Sequence, residues 1–547
     1  MRQTILAALT VMLAWNPTPA ARAQVPTVPL FDNLGTHHYA VSTRVPLAQL
    51  YFDQGLRLYY AFNHAEAIRA FQEATRRDPA CAMCYWGIAL AHGPNINAPM
   101  DGDGARAAFD AIQQAIARET NASPNERALI RALAARYAAD PPENRAALDT
   151  AYAHELRDLV RRYPADLEAA TLYAEALMVL SPWNYWTAEG EPRPDTPGML
   201  AALERVIAAN PEHPGANHFY IHALEAVQPE RAVAAAERLA ALMPGAGHIV
   251  HMPGHIYVRV GRYLDAIAAN EHAVHVDEAY IRDHRPGAGI YTAGYYPHNY
   301  DFLAFAASMI GRSRQATTAA EKLTAMPSRE LLREPGMTFV QHHHTRHLQM
   351  KVRFSQWDAI LTTPAPAEDL LHAGAMWSYA RGRALAARGQ VRDAEAALAH
   401  VHATAANPEI APLRLEFNTS GAVLGIASKV LAGHVAAARG DVTGAVVHLR
   451  EAVQLEDALT YGEPPDWSVP VRQELAMVLL RADRAVEAEQ AFREDLKRFP
   501  DNGWSLRGLE LALRAQGRVA EAETAKATFE RVWATADIDP PGPSTRE

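Results

Sequence analysis

The sequence predicts an all-α protein built as a solenoid of antiparallel helix pairs, and three observations carry that expectation. A packing pattern recurs: Gly55, Ala67, Phe71, Ala74 and Pro79 supply the small and large residues that let two short helices pack together and stack on a neighbour. An alanine that opens the second helix of each unit returns at Ala232, Ala266, Ala316, Ala359, Ala394, Ala445, Ala488 and Ala522, with 34 residues from 232 to 266 and from 488 to 522. No alternating strand pattern competes with these helical periods.

Length and composition set the frame. A chain of 547 residues is too long for one simple core, and 49% apolar with 21% charged residues describes a folded, soluble protein. A net charge of -10 gives no electrostatic footprint for nucleic acid or an anionic membrane. Residues 1–23 read as an export signal: Met1-Arg2, an apolar run from Ile5 to Trp15, helix-breaking Pro17 and Pro19, then Ala21-Arg22-Ala23 as a small-x-small cleavage site. That run is too short for a mature anchor, and no later stretch approaches ~20 uninterrupted apolar residues, so no membrane span is expected after cleavage. The expected location is periplasmic or secreted.

The chain then divides as follows. Residues 24–45 are an N-terminal arm, whose Thr36-His37-His38-Tyr39 either folds back on the groove or is solvated, the solvated arm being the expectation. Residues 46–163 hold the first helices, with turn-rich Gly93 to Met100 interrupting the second unit. The two cysteines, Cys81 and Cys84, lack the following histidine of a haem attachment, Tyr85 standing there instead. Packing thiols, a local disulfide, or a soft-metal site with Met83 all remain open for them, and a helical i, i+3 pair closes a disulfide with poor geometry. Residues 164–360 are the central units, entered by a helix from Ala165 to Leu180 and the aromatic, proline-rich loop Ser181 to Pro194. That loop is either functional or a plug between repeats. Residues 361–535 are C-terminal units and 536–547 a polar tail, with insertions expected at Arg282 to Pro297 and Glu409 to Ser420.

On these residues the units resemble tetratricopeptide (TPR) repeats over most of the chain. The whole also resembles a group of exported bacterial TPR proteins through Tyr85-Trp86-Gly87 with Gly93-Pro94-Asn95, and through Asn502-Gly503-Trp504-Ser505-Leu506-Arg507-Gly508. The resemblance implies the fold and brings no activity with it. It also implies that the first helix of each unit lines a concave groove, with repeat positions 2, 5, 9, 12 and 13 facing a ligand.

Fourteen of the 24 histidines lie between 213 and 347. Anchored by Gly254, Tyr257, Gly261 and Ala266, one unit places His248, His251 and His255 at groove positions, on one helical face. The preceding unit offers His218, His222 and Glu225, and the following one His298 and Asp301; His343 and His347 repeat the His-x3-His step further on. Two histidines one turn apart chelate a metal from a single helix, and a third from the next helix leaves an open position. The expectation is a divalent or redox transition metal, Cu, Zn or Fe, of undetermined identity. One mononuclear site, two sites or a coupled pair are all compatible with the spacing. Glu225, Asp301, Tyr257 and Tyr291 are the nearest acid, base or proton-donor candidates, and Arg259 a candidate clamp for a substrate carboxylate. The function expected is a metal-dependent enzyme, hydrolytic or oxidative, on a small molecule or peptide in the groove. The alternative is an envelope scaffold that captures a peptide or protein partner without chemistry. No phosphate loop or serine-hydrolase elbow is present.

Overall fold

The computed structural model describes residues 28–287, 289–539 and 542. The expected signal segment, the first residues of the arm and most of the tail lie outside the described residues. Among those described, the chain is helical from Pro46–Tyr60 to Val519–Trp533, with only two isolated β-bridges. It is a TPR-type helical solenoid.

The repeat grammar acts through small residues. Ala67, Ala232, Ala266, Ala316, Ala394, Ala445, Ala488 and Ala522 are all fully buried, where the second helix of a pair crosses the first. Ala359 is the exception. In the short helix Trp357–Thr362 the fully buried residue is Ile360, which restores a 34-residue step to Ala394 (394 − 360). A Cβ on Gly55 or Gly87 would run into the Phe71 ring, so two helices close on that ring from opposite sides. Side-chain caps at Asn63, Asp101, Asp166, Asp441 and Asn502, and a full capping box at Ser123 and Glu126, fix where helices begin.

The structure resolves two readings that the sequence left open, the arm and the cysteines, and interrupts one helix. The arm is docked: His38 Nδ1 lies 2.8 Å from Asp53, Tyr39 donates to Asp166 at 3.0 Å, and Ser42 donates its amide to the capping Glu126 at 2.6 Å. Cys81 and Cys84 form a disulfide, with their Cα atoms 5.4 Å apart. Cys81 is the extended N-cap residue of Ala82–Ala91, not part of its helical turn, which removes the geometric objection to an i, i+3 bridge. The long central helix is broken at Met252, where Pro253 brings no amide hydrogen, into Gly247–His251 and Pro253–Arg259.

The superhelix returns on itself. Trp504 donates its indole N–H to the Ser308 carbonyl at 2.8 Å, Arg259 reaches the Arg498 carbonyl at 3.2 Å, and Asp537 accepts from the Ser313 amide at 2.7 Å. The C-terminal units thereby close over the central ones. Ser420–Ala438 has the length and composition to cross a membrane, yet its apolar residues pack between Leu371–Ala387 and Val442–Asp457. The core is two large clusters, one within residues 28–295 and one within 348–525, joined by a third around Phe302, Phe305 and Phe499.

Candidate metal centre

Six histidines meet in the concave centre as two triads. His218 and His222 come from Pro214–Leu224, and His248 from Gly247–His251; their ligand nitrogens lie within 4.8 Å of one another. His251 and His255 flank the break at Met252 and join His298, from Tyr296–Met309, under the same limit. His248, His251 and His255, one row on neighbouring helical turns, are thus divided between two groups. His298 is delivered by a π-helical turn, Tyr291–Tyr295, within the expected insertion.

Hydrogen-bond bookkeeping fixes the tautomers. His218 Nδ1 faces the Tyr60 carbonyl at 2.7 Å, an orphan acceptor at the end of Pro46–Tyr60. His222 Nδ1 faces Glu225 Oε1 at 3.4 Å. Carbonyl and carboxylate oxygens only accept, so both Nδ1 atoms carry the proton and both Nε2 atoms present a lone pair. Those lone pairs meet at 3.1 Å, and His248 Nε2 stands 3.2 Å from His218 Nε2. In the second triad His251 Nδ1 donates to Asn270 Oδ1 at 2.7 Å, and the Asn270 amide is itself oriented by donating to the Ala266 carbonyl at 2.8 Å. His255 Nδ1 lies 2.8 Å from Glu225 Oε2, and its Nε2 lies 2.9 Å from His251 Nε2. Tetrahedral ligands at a metal–nitrogen distance of ~2.0–2.1 Å stand about 3.3–3.4 Å apart, close to this spacing.

Electrostatics separate the triads. Burial first, then neighbouring imidazoles, holds His218 and His248 well below the usual histidine range, and burial lowers His222 despite Glu225. All three are neutral, and the lone pairs of His218 and His222 face each other. Burial and His255 likewise lower His251, but at His255 the Glu225 and Glu463 carboxylates overcome burial and lift it to about 9. A proton can therefore stand between His251 and His255 until a cation displaces it.

Glu225 is fully buried and oriented behind the ligands, one carboxylate oxygen on His222 and the other on His255. It is the link between the triads, not a free acid or base facing a substrate. The other proposed acid, base and clamp residues are also engaged elsewhere. Asp301 is held by Arg346 at 2.7 Å. The Arg259 guanidinium is spent on the carbonyls of Glu225, Ala226 and Arg498. Tyr257 lies under Arg262, 4.3 Å from ring to guanidinium, and Tyr291 donates to Asp277 at 2.6 Å. His343 pairs with Glu416 at 3.2 Å, and His347 hydrogen-bonds Thr324 and the His344 carbonyl, so neither joins a triad.

The structure adds residues that spacing did not reveal: Asn270, the Tyr60 carbonyl, and Glu463, 3.4 Å from His255 Nδ1. A third acidic–histidine cluster, His37, Glu168 and His213, is of a different kind. His213 Nδ1 accepts the Ala216 amide, so its Nε2 carries the proton and points to Glu168 at 3.3 Å. That cluster is a hydrogen-bonded clasp on the arm.

Above the triads lies a chamber of about 1110 Å³, with His222, His248, His255 and His298 in its floor. Its roof comes from the segments that interrupt the repeats: Ile96 to Met100, Trp183, Tyr295 and Phe417. Trp183 donates its indole N–H to Asn97 at 3.1 Å, and Asn97 donates to the Tyr295 hydroxyl at 3.1 Å, tying three insertions together.

No protein-family profile and no curated protein sequence matches the chain. Solved structures with a similar course of helices include human IFIT1 bound to m7Gppp-AAAA, at 12% identity over 90% of this chain and 91% of that one, with a TM-score of 0.32. The TPR domain of P58(IPK) is similar at 12% identity over 86% of this chain and 98% of that one, TM-score 0.21. Naa15/Naa10 bound to HypK-THB is similar at 13% identity over 89% and 70%, TM-score 0.23.

Proposed function

We propose that this chain is a metal-dependent enzyme, working outside the cytoplasm, whose centre is the pair of histidine triads at the floor of the roofed chamber. The observation that carries the reading is the contact between His218 and His222: two neutral, buried imidazoles with their lone pairs facing at 3.1 Å and their protons committed to oxygen acceptors on the far side. Such a contact is repulsive unless a cation lies between, and three convergent imidazoles supply a cation with ligands while leaving a position open. His222, His248, His255 and His298 border the chamber, so that open side faces whatever enters. A transition ion held there supplies Lewis acidity or redox chemistry. The chain's own part is to aim six nitrogens, with Tyr60, Asn270 and Glu225 fixing ring orientation.

The roof also favours a small substrate over an extended peptide, because Trp183, Tyr295 and Phe417 stand where a TPR groove would admit a strand of chain. The scaffold alternative predicts a protein partner that is lost on groove mutation and is indifferent to chelators. The deciding measurement is metal content after production with export intact. About two ions per chain are expected, falling to about one in His218→Ala and in His251→Ala. Protein that purifies without metal and binds none of Cu, Zn or Fe overturns the reading.

A further inference from the structure

We infer that the two triads act as one coupled copper pair that uses dioxygen to oxidise a phenolic ring lodged under Trp183 and Phe417. The inference rests on the metal reading above and adds the metal, the oxidant and the substrate class.

The triads abut. His222 and His255, from different triads, have ring centroids 5.4 Å apart, and His248 and His251 5.8 Å; within a triad, His218–His222 is 4.9 Å and His251–His255 is 4.8 Å. No side chain fits between rings at those distances, so one small ligand on the chamber side can touch both centres. Both triads also share one carboxylate behind them, through His222 Nδ1 and His255 Nδ1 on Glu225.

The donor set selects the metal. All six residues of the two triads are histidines. Paired iron and manganese centres in helical proteins take carboxylates into the inner set, and here the nearest ones, Glu225 and Glu463, lie against Nδ1 atoms on the far side of the rings. Imidazole without carboxylate or thiolate suits zinc as well as copper; copper heads the affinity order for nitrogen sites and, of the two, is the one that can exchange electrons with dioxygen.

The chamber selects the substrate. The Trp183 ring stands edge-on to His222 at 5.0 Å and to Phe417 at 4.9 Å, and Tyr295 packs on His248 at 4.6 Å. Trp183 adopts φ 63°, a left-handed conformation costly for a bulky residue and characteristic of places where structure is held for function. Its strained backbone aims an aromatic wall at the metal floor, where a flat ring packs face or edge against it.

The chemistry balances as follows. Each diphenol loses two electrons and two protons and leaves as a quinone, while the copper pair takes up the electrons, one per ion. Two diphenols reduce one dioxygen: its O–O bond breaks, four O–H bonds form, and two waters leave.

The test loads purified metal-free protein with copper and follows three readouts: copper per chain, the spin count of the oxidised protein by electron paramagnetic resonance, and oxygen uptake with catechol. Two coppers per chain, a spin signal well below two, and uptake of about one dioxygen per two catechols are expected. Trp183→Leu should raise KM for catechol about tenfold with copper and spin count unchanged. Two coppers with a full two-spin signal, or no oxygen uptake with catechol or simple monophenols, overturns this inference and leaves the metal reading standing. Failure to bind copper, zinc or iron at all overturns both.

Discussion

Two buried groups of histidines in this molecule look alike in composition and differ in what their nitrogens face. In the chain Ser420–His372–His342, the Ser420 hydroxyl donates to His372 Nδ1 at 2.7 Å, His372 Nε2 donates to His342 Nδ1 at 3.1 Å, and His342 Nε2 donates to the Asp466 carbonyl at 2.9 Å. Every donor meets an acceptor, and the chain fastens the 409–420 insertion to the loop near Asp466. In the triads the outward nitrogens of His218, His222, His251 and His255 face oxygen atoms, while the inward Nε2 atoms of His218 and His222 face each other as two lone pairs. Burial and imidazole content do not separate a ligand set from a structural one; the direction of the protons does.

The largest effect should come from exchanging the fates of these groups. His222→Ala should lower metal affinity at the first triad by more than ~100-fold, since losing a ligand costs more than losing an outer partner. His372→Ala should leave metal content at the wild-type level and instead cost roughly 1–3 kcal/mol of stability, because it orphans His342 Nδ1 and the Ser420 hydroxyl. Metal analysis and chemical denaturation of both variants check this; equal metal loss in the two would erase the distinction.

Outer partners come next. Asn270→Ala frees only His251, so it should weaken the second triad by ~10–100-fold and spare the first. Glu225→Gln should weaken both, because its amide can accept from His222 or from His255 but not from both at once. Competition titration against a chelator, resolving the two binding steps, separates the outcomes. A smaller perturbation of the same kind is Gly254→Ala: its Cβ would stand 2.7 Å from Asn270 Nδ2 and push the amide that orients His251. A several-fold weakening confined to the second step is expected.

The fold was legible because repeats announce themselves through small residues at a fixed period, and Ala232, Ala266 and Ala522 sit where the spacing put them. The candidate ligands were legible for a related reason. His218 with His222, and His251 with His255, are one turn apart, and repeat register assigns them to a common face. Spacing failed at His343 and His347, where the same His-x3-His step falls in helices that the insertions turn toward Glu416 and Thr324. It failed for Asp301, because its Arg346 partner is 45 residues away. Glu463 and Phe417 reach the chamber only because the superhelix folds back, and nothing local in the sequence encodes that return. The insertions themselves were visible as irregular intervals, but that they converge into one roof is a property of the closed superhelix.

The smallest predicted effect contrasts two buried carboxylates. Glu225 has imidazole partners, which outweigh burial and hold it down to about 2. Asp277 has only neutral donors, the Tyr291 hydroxyl at 2.6 Å and the Asn299 amide at 2.8 Å, and burial pushes it up to about 7. A carboxyl raised in the folded state binds its proton more tightly there than in the unfolded chain, where it titrates near ~3.9. Its contribution is therefore fully present below about pH 4 and is lost as pH rises through about 7, by at most ~1.4 kcal/mol per pH unit in that window. Asp277→Asn should remove that slope. The Asn299 side-chain oxygen, without a partner in the wild type, can accept from the new amide once the Asn299 amide flips. Denaturation midpoints of the metal-free protein from pH 4 to 8 should therefore lie flatter in the variant than in the wild type. Identical profiles would mean that Asp277 stays charged, and that the π-helical turn carrying His298 is anchored on a carboxylate ion.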